Sequence, residues 1–410
     1  MRSNRGIFEG VLCILSLLLA IGLQTGTADA KVKTVNVGCA DGDTIAEALR
    51  KGEDKSLVIT VQGTCQENVT IARDDVTIEG DPVTGGGLTG PDPALHTISI
   101  DGARRVVIRN LTVTGGRNGI SGAGGASFTV QDSTIHNSSG VGIGVFQNSR
   151  ALIHHNTITN HPEDAIAVVG SSDATITANV IRGSGQEALL VANSSSARIG
   201  RTDSGDPAGN TIEQNTIEGI LITRASVGDL VANTIQNNGA LTPTNPFGTA
   251  GVSVIQNSVV RMRGGNTIQA NGGGGIFLRS SSLRAGREVS VADAIKDNTA
   301  SGIAAEENSD IDLRDGTSVS GNTAHGLFLE HGARLRIRDS SVTNNGFQGI
   351  VLQRASSARL LAGVTINGNG TSGFPGSFGI FCGDNESSFV GAFAGNGGTG
   401  GLTSPGCTGF

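Results

Sequence analysis

Four acidic residues recur at one place in this chain, directly before short apolar runs: Glu163 and Asp164 before Ala165-Ile166, Glu187 before Ala188-Leu189, and Glu218 before Gly219-Ile220. If those runs are stacked strands, Asp164, Glu187 and Glu218 share one column with a step of about 4.8 Å, with Glu163 and His161 beside it. Carboxylates that close raise one another's proton affinity or recruit a cation, which is how paired carboxyls become an acid and a base. They are the candidate catalytic residues. Strict alternation would turn the column inward, so a site here requires the preceding turn to release it. The competing reading is a solvated acidic turn, since ionisable clusters are often plain surface.

A second set lies further along. Arg279, Glu306, Glu330 and Gln353 form one column, with Arg224, Glu307, His331, Arg354 and Asp384 one step on, and Phe277, Phe328, Val351 and Phe381 on the outward side two residues earlier. Rings beside charges suit an extended ligand, which makes Phe277, Arg279, Glu306, Phe328, Glu330, His331 and Arg354 the candidate ligand-binding residues. Arg–Glu alternation equally suits pairing between neighbouring strands. His154 and His155 have no matching His in adjacent coils, so no metal site is expected there.

What must position these residues is a repeat. Gly142-Ile143-Gly144-Val145, Ala165-Ile166-Ala167-Val168, Gly219-Ile220-Leu221-Ile222, Gly326-Leu327-Phe328-Leu329 and Gly349-Ile350-Val351-Leu352 are copies of one pattern, with starts running 119, 142, 165, 188 and later 302, 326, 349. Such a period signifies a solenoid of stacked units. Each coil carries a second strand ending near Asn110, Asp132, Asn156, Asn179 or Asn233. An Asn at such a corner can adopt the left-handed conformation and bond its copies above and below, a structural ladder rather than a catalytic one. Thr44 to Arg50 reads as a short helix, N-capped by Asp43 or Thr44, that covers the first coil. Two coils carry insertions, 200–209 and 239–249. Insertions in solenoids go to loops on one side and often rim a binding face.

The first thirty residues read as an export signal: Arg2 and Arg5, an apolar run from Val11 to Leu23, and Ala28-Asp29-Ala30. Its removal takes out Cys13 and leaves Cys39, Cys65, Cys382 and Cys407. Coils stacked between Cys65 and Cys382 would hold the two ends tens of ångströms apart, so the pairing expected is Cys39 with Cys65 and Cys382 with Cys407. The segments are then a signal at 1–30, a cap and first coil at 31–75, repeats at 76–378 and a C-terminal cap at 379–410. No membrane span is expected after cleavage. The net charge of −7 and the absence of Trp and Tyr argue against nucleic acid, which wants basic stripes with stacking aromatics.

Three short strands per 23-residue turn resemble the right-handed parallel β-helix of the pectin-lyase-like superfamily, an all-β solenoid here of roughly eleven or twelve coils. That fold hosts hydrolases, lyases, esterases, epimerases, adhesins and inert spacers. Glu163-Asp164-Ala165-Ile166-Ala167-Val168 looks like the Asp-Asp strand entry of polygalacturonases, where the carboxylates cut a glycosidic bond. The chain departs from that family at Ser139-Gly140-Val141, in place of Asn-Thr-Asp, and at Gln186-Glu187, in place of Gly-His-Gly. Incomplete motifs make the main expectation a non-catalytic exported module that binds an extended polysaccharide or serves as an adhesive surface. The alternative is a glycoside hydrolase, lyase or epimerase using the stacked carboxylates. No cofactor is called for; the calcium chemistry of pectate lyases would want a basic cluster as well. Oligomeric state is not encoded in any motif.

Overall fold

The computed structural model describes residues 32–410 except 52–55, 240–248, 287, 374–375, 396–397, 399–400, 406 and 410. The export signal and most of the 239–249 insertion therefore lie outside the described residues.

Each repeat folds as three short strands. In one coil these are Ile143–Phe146, Arg150–His154 and Thr157–Thr159, which define a first, second and third face. Every strand pairs in parallel with its counterpart one coil on, so that Ile143 meets Ile166, Arg150 meets Asp173 and Thr157 meets Val180. The first face alone has fourteen strands, more than the eleven or twelve coils expected. The excess arises because its ladder starts at Val69–Ile71 and runs through Phe378–Cys382 to Gly401–Thr403.

Period-two alternation builds the core. On the first face the opening branched residue of every coil, from Ile120 through Ile166, Ile220, Ile276 and Leu327 to Ile380, is fully buried. Each such side chain contributes about 1.5–3 kcal/mol of transfer free energy. The glycine before it has a steric cause: a Cβ on Gly326 would lie 2.6 Å from the carbonyl oxygen of Gly349 and 2.4 Å from Val342.

Polar ladders line the interior corners. Asn156, Asn179, Asn210, Asn233 and Asn266 are buried, and each donates its amide to the side-chain oxygen of the next member at 2.9–3.0 Å, the last to Asp293 at 2.8 Å. This ladder differs from the expected one by a single residue. Ser133 is the counterpart of Asn156, whose side-chain oxygen accepts the Ser133 N–H at 3.0 Å. Asn110 and Asp132 do take left-handed conformations (φ 50° and 51°), but in later coils the left-handed residue is the one before the Asn, His155, Ala178 or Ala232. A second ladder at the other corner runs through Asn215, Asn238, Asn271, Asn298, Asn322, Asn345 and Asn369.

The N-terminal helix spans Ile45–Arg50, with the Thr44 hydroxyl accepting the Glu47 N–H and Ile45 and Ala48 buried. Glu67 completes the cap by accepting the Ile45 and Ala46 N–H groups at 2.6 and 3.2 Å. Both expected disulfides are formed, with Cα–Cα separations of 4.8 Å for Cys39–Cys65 and 5.0 Å for Cys382–Cys407. Among the described residues, no helix is long and apolar enough to cross a membrane.

Candidate functional site

The turn into the first face decides where the carboxylates go. At this entry position a side chain can accept the N–H of its counterpart one coil on: Asn118 takes that of Val141 at 3.2 Å, and the Nδ1 of His325 takes that of Gln348 at 3.3 Å. Asp164 follows the same rule with the Glu187 N–H. The column therefore runs along the solenoid axis and Asp164, Glu187 and Glu218 are brought together. Glu218 leaves the core altogether, because its Oε1 accepts the hydroxyl of Ser253 at 3.0 Å. Ser253 sits between the core residues Val252 and Val254, so its side chain is on the outward side.

Electrostatics follow from this placement. Asp164 is 5% exposed and one of its oxygens has no hydrogen-bond partner. Burial, reinforced by the hydrogen bond and negative charge of Glu187, pushes its pKa up to about 9. Burial and then the charge of Glu187 push Glu218 up to about 7, against the lowering effect of the Ser253 hydroxyl. The three carboxyls are not placed as a metal-holding set. Glu163 is exposed and acts on Asp164 only through its charge. His161 does not join them. It is 1% exposed, with Nδ1 2.6 Å from the Ser138 hydroxyl and Nε2 3.2 Å from the Ile135 carbonyl oxygen, and burial holds its pKa at about 4. It belongs to the interior corner between Ser138 and Ser184, which the second Asn ladder continues.

The later set divides in two. Its charged members satisfy one another across coils: Arg279 donates to Glu306 at 2.9 and 3.1 Å while its guanidinium lies 5.3 Å above the Phe277 ring. Arg354 meets both Glu330 and His331 at 2.8 Å. Of the aromatic members only Phe381 lines a pocket, one of about 270 Å³ formed with His325, Phe347, Gln348, Val351 and Gln353; the candidates Phe277 and Phe328 are not in its lining. His325 stacks on Phe328, with centroids 5.6 Å apart, and packs against Phe347 at 5.5 Å. Its burial lowers its pKa to about 4, leaving a neutral imidazole in the pocket wall. His325, Phe347 and Gln348 were absent from the sequence-derived set. The signal existed, since His325 and Gln348 occupy the same entry position as Glu218, four and five coils further on.

The sequence insertion at 200–209 lies elsewhere. Asp203 accepts from Arg198 at 2.8 Å and from Thr175 at 3.1 Å, both outward residues of the second face. It does not wall the carboxylates.

Comparison with solved structures gives the same architecture. The catalytic unit of a thermostable GH87 α-1,3-glucanase from Streptomyces thermodiastaticus strain HF3-3 matches with a TM-score of 0.58 at 16% identity, over 80% of this chain and 68% of that one. A variant of the periplasmic alginate epimerase AlgG matches with a TM-score of 0.51 at 12% identity, over 81% and 78%. At these identities the likeness is one of fold alone. No curated protein sequence matches. The family described as "Right handed beta helix region" matches residues 96–245 and 218–394, well over half of the chain. With its parallel three-faced coils and that match, the chain belongs to the right-handed β-helix family.

Proposed function

We propose that the chain is an exported polysaccharide-active enzyme that holds an extended glycan along the outer side of the first face and cleaves it with Glu187 and Glu218. One observation carries this reading: three carboxyl groups stand on successive coils, two of them with strongly raised proton affinity. An inert spacer gains nothing from such an arrangement, because uncompensated buried charge costs stability. Asp164 is too buried to touch a ligand; neutral at pH 7, it positions Glu187. Glu218 is half-buried and titrates near neutrality, which suits a general acid. Glu187 stands one rung away, about 4.8 Å along the axis, close to the roughly 5–5.5 Å that separates acid and nucleophile in retaining glycosidases. Two disulfides fit an oxidising compartment. The α-1,3-glucanase and the alginate epimerase share the fold, and a glycan substrate is consistent with both names.

The test is a screen of the mature protein against neutral and acidic polysaccharides for new reducing or unsaturated ends. Wild type is expected to release reducing ends with retained anomeric configuration, and Glu187→Gln and Glu218→Gln to lose about a hundredfold or more in rate while still binding. Binding without product from wild type would refute catalysis and leave the second reading, a non-catalytic glycan-binding or adhesive module. The His325 pocket favours that reading, because it lies four coils from Glu218, about 19 Å by strand spacing, and can hold a sugar where no carboxylate acts.

A further inference from the structure

The second face carries an arginine-rich column that the first-face chemistry does not use. Its outward positions run Arg198, Asp229, Arg261, Arg284, Asp312, Arg336 and Arg359 in unbroken parallel register. The acids on this column are already committed. Asp229 faces Arg263 at 3.3 Å and Arg261 at 3.8 Å, and Asp312 is bonded by Arg314 through its Nε at 2.8 Å. Arg198 is held by Asp203 of the 200–209 insertion at 2.8 Å. Arg284, Arg336 and Arg359 remain. All three are exposed, and none makes an ion pair or a side-chain hydrogen bond with another described residue. Arg336 and Arg359 are direct neighbours in the ladder, where like charges repel.

The surface around them is shaped as well as charged. Two clefts, of about 390 and 400 Å³, adjoin along the column and share Arg284 and Asp312; the second also holds Arg334 and Arg336. Loops rise beside the floor. Arg201 of the 200–209 insertion bonds Glu288, which follows the strand Ser282–Ala285, at 2.9 Å. The insertion thus rims the second face, the side on which an added loop would be expected to flank a ligand.

We infer that this face binds a linear polysaccharide bearing carboxylate or sulfate groups, with Arg284, Arg336 and Arg359 as the anion-recognising residues. Guanidinium forks match planar oxyanions bidentately and are costly to leave in register without a counterion. A linear occupant is called for because the free arginines follow the solenoid axis, Arg284 two rungs from Arg336 and Arg336 one rung from Arg359, about 10 and 5 Å. The net charge of −7 opposes general attraction of polyanions, so capture depends on this column. The inference stands apart from the carboxylate cluster: a glycan can be held here whether or not one is cleaved on the first face.

The experiment measures retention of the full mature chain on immobilised polygalacturonate, dextran sulfate and neutral dextran, with duplex DNA as a fourth probe. Wild type should bind one or both acidic glycans and not dextran; which of the two is preferred identifies the acid. The Arg336→Gln/Arg359→Gln double variant should bind about tenfold or more weakly, with a shallower salt dependence, while Arg182→Gln on the third face, exposed and away from the column, should match wild type. Unchanged thermal melting of the double variant shows that the fold is intact. Equal retention of wild type and double variant would overturn the inference, and so would tighter binding to DNA than to either acidic glycan. Glu187→Gln serves as the separating control, since its loss of turnover must leave this binding unchanged.

Discussion

Replacing Asp164 by Asn tests the carboxylate cluster without needing a substrate. Asn keeps the shape and an oxygen that can accept the Glu187 N–H, but cannot ionise. In the native chain the carboxyl titrates at about 9 against an unfolded value of 3.8. A folded pKa raised in this way means that the native state holds a proton which the unfolded state has given up. Its contribution is therefore fully present below about pH 4 and is lost progressively as pH rises towards 9. Each pH unit within that window costs about 1.4 kcal/mol at most, so about 4 kcal/mol is gone by pH 7. Asp164 is nearly inaccessible, so solvent screening removes little of this. Urea unfolding of both chains at pH 5, 6, 7 and 8 is the assay, with the difference between them at each pH as the quantity read. Wild type should lose stability steadily across the series. The Asn variant should lose markedly less and become the more stable of the two at pH 8. Parallel curves would mean that Asp164 ionises normally, and would remove the electrostatic basis of the site.

The pH dependence of turnover has the opposite diagnostic limb. If Glu218 is the acid, the rate should fall as pH rises through about 7, where that group loses its proton; a rate that keeps climbing to pH 8.5 would exclude it. Gly326→Ala forces a Cβ against Gly349 and Val342, and overpacking of this kind should cost about 1–3 kcal/mol in chemical unfolding. Asn238→Ala removes the oxygen that accepts the Asn215 N–H and amide, at 3.2 and 2.8 Å, inside the buried ladder. Orphaning those groups should cost about 3 kcal/mol or more, and faster amide exchange at Asn215 and its neighbours is the readout. His325→Leu removes the acceptor of the Gln348 N–H and should cost about 1–3 kcal/mol in unfolding while weakening any glycan held on the first face, which gel retardation in polysaccharide would reveal.

A strict period makes some features of a chain readable and hides others for a physical reason. Backbone pairing between coils is what enforces the period, so anything set by strand register could be read directly. The column of Asp164, Glu187 and Glu218 and the pairing of the four cysteines belong to this class. Corners are different. There an Asn or Asp can occupy either of two adjacent positions, the left-handed one or the buried one after it, and counting from Asn110 through Asp132 to Asn156 passes from the first to the second, because the counterpart of Asn156 is Ser133. For the same reason His161, three residues from Asp164, faces the interior although it adjoins the column in sequence. Side-chain direction in a turn depends on which N–H it caps, and hydrophobic periodicity is silent about that. The loops pose a third problem. Nothing in the spacing of 200–209 says which face it covers; that is decided by Asp203 meeting Arg198 and Thr175. The same contact takes the insertion away from the carboxylates and gives it to the arginine column. A wall expected for one site thus belongs to another, and the two faces, one with clustered acids and one with unpaired bases, have to be tested as separate ligand surfaces.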